Sequence, residues 1–100
     1  MELKKTEKIN LLFDIYGCLL TDKQQEIIEY YFGDDLSLGE IAENLGTSRN
    51  AIHNLIKRSV SLLEEYEDKL KLLEKKEKLS DILKKIDPKL RDKIEQIIEG

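Results

Sequence analysis

Residues 36–58, LSLGEIAENLGTSRNAIHNLIKR, constrain the fold more tightly than any other stretch of the chain. Ser37 followed by Glu40 is a capping box, which opens a helix at Leu38. That helix runs to Leu45, and Gly46 can take the left-handed backbone that turns the chain. Ser48 caps the next helix. Ile41, Leu45, Ile52 and Leu55 fall on facing sides, and small Ala42 sits where the two helices approach. Two helices joined at one glycine in this way read as a helix-turn-helix. Gly39 in the first turn costs about 1 kcal/mol relative to alanine. Thr47 stands where an aliphatic residue is usual; its methyl can pack, but its hydroxyl needs a partner.

With Ile52 and Leu55 turned inward, the second helix shows Arg49, Asn50, His53, Asn54 and Lys57, with no acid among them. Arginine can bond guanine bidentately, asparagine can do the same with adenine, and lysine meets phosphate. Ser48 and the free amides at the helix start also suit a phosphate. The candidate nucleic-acid-binding residues are therefore Ser48, Arg49, Asn50, His53, Asn54, Lys57 and Arg58. A bland reading stands beside this one: a solvated polar face on an interaction domain. Glu40 and Glu43, two acids near the groove edge, speak for it.

Charge sharpens the contrast. The 100-residue chain has a net charge of −4. Residues 1–46 balance at −6, residues 47–61 at +3 and residues 62–100 at −1, counting Lys and Arg against Asp and Glu. Only the middle window attracts phosphate, so nonspecific binding should be weak, with a shallow salt slope.

Helical signals fill the remainder. Ile9, Leu12, Phe13 and Tyr16 give a stripe on a helix from Thr6 to Tyr16, with Gly17 as its stop. Thr21 and Gln24 form another capping box, opening a helix from Asp22 to Phe32 that Gly33 closes. The helix that starts after Ser48 meets no breaker until well past residue 70, a length of about 40 Å at 1.5 Å per residue. Along it, Ile52, Ile56, Ser59, Leu63, Tyr66, Leu70 and Leu73 recur in steps of four and three, a heptad-like seam. The seam predicts a homodimer, or packing within the chain. LEKKEK, residues 73–78, is helix surface or hinge, and Leu79, Ile82, Leu83 and Ile86 continue an amphipathic pattern. Asp87-Pro88 is a helix start, and Leu90, Ile94, Ile97 and Ile98 line the last helix. No strand pattern appears. The expectation is an all-α bundle: a helix-turn-helix domain with an extended fourth helix over residues 1–75, and a helical tail over 76–100.

Catalysis finds no constellation. The single His53 and single Cys18 are far apart, and no acid is spaced to orient His53. No metal or cofactor is expected, since soft ligands are lacking. Cys18 is expected to be a small buried residue. Tyr30, Tyr31 and Tyr66 are expected in the core or an interface. No run approaches the roughly 20 apolar residues of a membrane span. One cysteine and no export pattern fit the cytoplasm.

From Leu20 to Arg58 the chain resembles region 4 of bacterial sigma factors, in LLTDKQQEIIEYYF and LSLGEIAENLGTSRNAIHNLIKR. The pieces FDIYGCLLT, DDLSLGEIA, SRNAIHNLIKR and LEEYEDKL more closely resemble the YlxM family, over residues 7–75. The resemblance implies a sigma-region-4-like helical domain, a cytoplasmic location and a tie to the signal recognition particle pathway. It sets two expectations side by side. One is a nonenzymatic regulator that binds DNA or the particle's RNA. The other is an adaptor for the particle's protein, with the motif as scaffold. Residues 81–100 lie outside the well-matched stretch.

Overall fold

A computed structural model describes residues 2–99 of the chain, with side chains over residues 4–99. It is all-α: α1 Glu2–Tyr16, a 3-10 turn Gly17–Leu19, α2 Asp22–Ile28, a π turn Glu29–Gly33, α3 Leu38–Leu45, α4 Arg49–Leu70, α5 Leu72–Leu83 and α6 Pro88–Glu99. The helices group into two compact units, one ending at Leu70 and one starting at Lys71.

Both expected capping boxes form. The Thr21 and Ser37 hydroxyls accept from the amides of Gln24 and Glu40 at 3.2 and 3.1 Å. The Gln24 and Glu40 side chains accept from the Thr21 and Ser37 amides, both at 2.9 Å. The Ser37 amide first, and its hydroxyl second, hold the Glu40 carboxyl below the ordinary glutamate range. A depressed folded-state pKa gives a stabilising contribution that is present above the unfolded value. It is lost as pH falls through the folded one. In Ser37→Ala the Glu40 carboxyl is expected to titrate at higher pH than in the parent, read by NMR. An unchanged titration would show that the Ser37 hydroxyl does not hold the carboxyl in solution.

The core of the first unit gathers Ile27, Ile41, Ala42, Ile52 and Ile56, with Leu45, Leu55, Tyr31, Phe32 and Val60 packed on it. α4 is the spine on which α1, α2 and α3 pack. Ile52, Ile56, Ser59 and Leu63, the first four seam positions, are all buried. Buried Ser59 satisfies its hydroxyl on the Leu55 carbonyl at 2.8 Å. Further along, the Tyr16 ring tilts against Tyr66 at 6.0 Å and its hydroxyl donates to Glu67 at 2.6 Å. The seam thus faces its own chain as far as Tyr66, the second of the two arrangements expected for it. An apolar stripe looks the same in sequence whether a second copy or α1 covers it.

Three expectations change. Helix four does not run unbroken past residue 70. It ends at Leu70, and Lys71 takes a left-handed φ of 56° before α5 begins. α4 is therefore about 33 Å long at 1.5 Å per residue. No glycine, proline or side-chain cap marks this break. Residues 73–78 lie within α5, so they are helix surface and the helix break sits before them. The end of the second helix is a π turn, closed by the Asp34 amide on the Glu29 carbonyl at 2.8 Å. It brings Tyr31 and Phe32 edge to face, at 5.0 Å and 89°. The π turn ends at Gly33, and the left-handed residue of the following turn is Asp35, at φ 58°. Finally, Cys18 is exposed. Gly17, which opens the 3-10 turn, and Leu20, which follows it, are buried, while Cys18 and Leu19 between them are exposed. Gly17 is required by proximity: a Cβ there would lie 2.9 Å from the Phe13 ring.

In the second unit, the Asp87 carboxylate accepts from the Lys89 amide at 3.0 Å, the expected start of α6. Leu73 and Leu83 are buried, whereas Ile82, Leu90, Ile97 and Ile98 are exposed, Ile97 at 81%.

Candidate nucleic-acid interface

The turn between α3 and α4 fixes the site. Gly46 adopts φ 65°, ψ 39°. The Thr47 amide donates to the Ala42 carbonyl at 3.0 Å and the Gly46 amide to Glu43 at 3.4 Å. This pair of bonds is a Schellman motif, which satisfies the last carbonyls of α3 and turns the chain. Thr47 itself is exposed, so its hydroxyl meets solvent rather than the core. The Ser48 hydroxyl then accepts from the Ala51 amide at 3.1 Å and starts α4.

With Ile52 and Ile56 locked into the core and Leu55 partly buried, the rest of the helix turns outward. Ser48, Arg49, Asn50, His53, Asn54, Lys57 and Arg58 are all exposed. Asn50, Asn54, Lys57 and Arg58 recur at three- and four-residue steps and form one stripe. Lys57 lies two turns, about 10 Å, beyond Asn50. Exposed Ser61 prolongs the stripe by one turn. The candidate residues named from the sequence end at Arg58, although the same periodicity reaches Ser61.

Arg49 sits apart from the others. Its guanidinium Nε lies 3.8 Å from the place where a Cβ on Gly39 would stand. That is ordinary van der Waals distance, so Arg49 lies beside the start of α3 and a Cβ at Gly39 would fit against it. Ser48 is committed to the cap, so its hydroxyl has less left to offer a ligand than the sequence implied.

The electrostatics favour an anion. Among the described residues, the ion pairs join Lys69 to Glu65, Lys78 to Glu74 and Lys84 to Asp81, and none involves Arg49, Lys57 or Arg58. These three cations are therefore unspent. Glu40, one of the two acids that spoke against nucleic acid, is drawn back onto the Ser37 amide. Among the described residues, no group of three or more His, Cys, Asp or Glu could hold a metal ion. No helix of the described residues is long and apolar enough to cross a membrane.

A family model described as "Putative helix-turn-helix protein, YlxM / p13 like" (UPF0122) matches residues 3–99. That span takes in the tail as well, beyond the residues 7–75 that carry the resemblance. A UPF0122 protein of Halalkalibacterium halodurans is 52% identical, covering 84% of this chain and 77% of its own. One from Streptococcus equi subsp. zooepidemicus is 49% identical, covering 94% of this chain and 88% of its own. One from Bacillus thuringiensis is 43% identical, covering 98% and 94%.

Proposed function

This chain belongs to the YlxM / p13-like helix-turn-helix family, UPF0122, and from that premise we propose a nonenzymatic regulator that binds nucleic acid through the first half of α4. The observation that carries the reading is the exposure of Arg49, Asn50, His53, Asn54, Lys57 and Arg58 on a helix whose opposite face is buried. Such a helix can enter a major groove with asparagines toward base edges and cations toward phosphates. The resemblance to the YlxM family adds the signal recognition particle, so the particle's RNA stands beside duplex DNA as the target, in the cytoplasm. The test is a titration of both nucleic acids at low salt with the parent and with Arg49→Ala/Lys57→Ala. Equal, negligible binding by the two proteins would sink the reading.

The adaptor reading is favoured by one separate observation, the apolar side chains that α6 leaves exposed. There Leu90, Ile97 and Ile98 would meet the particle's protein or a second copy. Half-exposed Leu70 is the other apolar group left over from the seam. A homodimer, as paired recognition helices need, is proposed here to use the exposed face of α6. Ile97→Asp is then expected to halve the mass seen by sedimentation at micromolar concentration. Identical masses for parent and variant would remove α6 as the dimer contact.

A further inference from the structure

Next to the polar stripe lies an open groove of about 600 Å3, wholly within the first unit. Its floor is apolar: Tyr31 and Phe32 from the π turn, Leu38 from α3, and Ile56 and Val60 from α4. Tyr31, Phe32, Leu38 and Val60 are only partly buried by the core beneath them. Both rings are carried by the π turn Glu29–Gly33.

The length of the groove selects its occupant. On α4 it is lined at 53, 56, 57, 60, 61 and 64, one helical face over three turns. That is about 16 Å of groove at 1.5 Å per residue. A partner helix with anchors at i, i+3 or i+4, and i+7 covers the same length. A small ligand would need closer walls, because such sites bury about 70–90% of what they hold. Here Lys5, His53, Lys57, Ser61 and Glu64 along the rim are all exposed.

Charge selects the partner's chemistry. Lys5 and Lys57 stand on the rim with His53, against a single acid, Glu64, two turns beyond Lys57. Neither lysine is ion-paired with another described residue. A nucleic acid would gain little from the floor, where the Tyr31 hydroxyl is the one polar side-chain group. We infer that the groove receives an acidic amphipathic helix of a partner protein. Its apolar side chains rest on the Tyr31, Phe32 and Val60 floor, and its carboxylates face Lys5 and Lys57. Insofar as α4 also binds nucleic acid as proposed above, the two ligands compete, because both cover His53 and Lys57.

The experiment uses the full chain, isotope-labelled for NMR. The probe is a synthetic amphipathic helix of about four turns, with leucine along one face and glutamate flanking it. A twin peptide carries lysine in place of glutamate. The glutamate peptide is expected to shift the amide signals of Tyr31, Phe32, Val60 and Ser61, and the lysine twin to bind about tenfold more weakly or worse. Lys5→Glu should weaken the glutamate peptide about threefold, and Glu64→Lys should tighten it by a similar factor. Both variants sit at exposed positions outside the seven nucleic-acid candidates, so the peptide result is separable from any nucleic-acid titration. Equal affinity for the two peptides, shifts that map away from the groove, or groove signals that move only with duplex DNA would overturn the inference.

Discussion

Leu63→Ala is expected to cost about 3 kcal/mol of stability, whereas Leu70→Ala should change it by less than about 0.5 kcal/mol. The two leucines stand seven residues apart on one apolar seam, so the sequence treats them as equivalent. The fold does not. Leu63 is fully buried, while Leu70 is 47% exposed. Truncating Leu63 removes its transfer free energy and leaves a cavity that α4 and its neighbours cannot collapse to fill. Truncating Leu70 removes a side chain that water already reaches. Chemical denaturation of the two variants at several protein concentrations measures the difference. A seam that served a second copy would make both truncations costly and both midpoints concentration-dependent. Matching losses would therefore show that α4 pairs between chains after all.

Lys57→Glu/Arg58→Glu is expected to lower affinity for duplex DNA at low salt about a hundredfold, with the helical content unchanged. Each cation that meets a phosphate releases a condensed counterion. Three such contacts, from Arg49, Lys57 and Arg58, predict a log–log salt slope of about −2.7. Reversing two of them leaves about one contact and a slope near −0.9. It also sets two carboxylates against the backbone of the duplex. Both residues are exposed and outside every described ion pair, so the core loses nothing when they change. The measurement is a fluorescence titration between about 50 and 200 mM salt, the range over which counterion release dominates. A double variant that keeps the parent's slope would place the contacts elsewhere.

Much of this molecule could be read from residue types at fixed offsets. Thr21 with Gln24, and Ser37 with Glu40, announced two helix starts that form with both reciprocal hydrogen bonds. Gly46 announced the turn, because few other residues accept φ 65° without strain. Burial of Ile52 and Ile56 was legible in the period of α4, and the exposure of Asn50, Asn54 and Lys57 followed from it. Less legible were features that depend on distant packing. Lys71 breaks α4 with no breaker residue to mark it. The π turn has no sequence signature of its own. Arg49 falls near the edge of the polar stripe, and its position against Gly39 shows only once α3 is in place. Cys18 was expected inside from its usual chemistry, but the 3-10 turn rotates it out.

The chain by itself determined where helices begin, where the motif turns and which face of α4 is polar. Those properties are set by backbone capping, by the steric freedom of one glycine and by a 3.6-residue period, all of which act within a few residues. Only the tertiary structure decided what covers the seam, where α4 ends and which side chains wall the groove beside it. An apolar stripe requires a partner without naming one, and here Tyr16, reaching Tyr66 and Glu67 across some fifty residues, supplies it from the same chain.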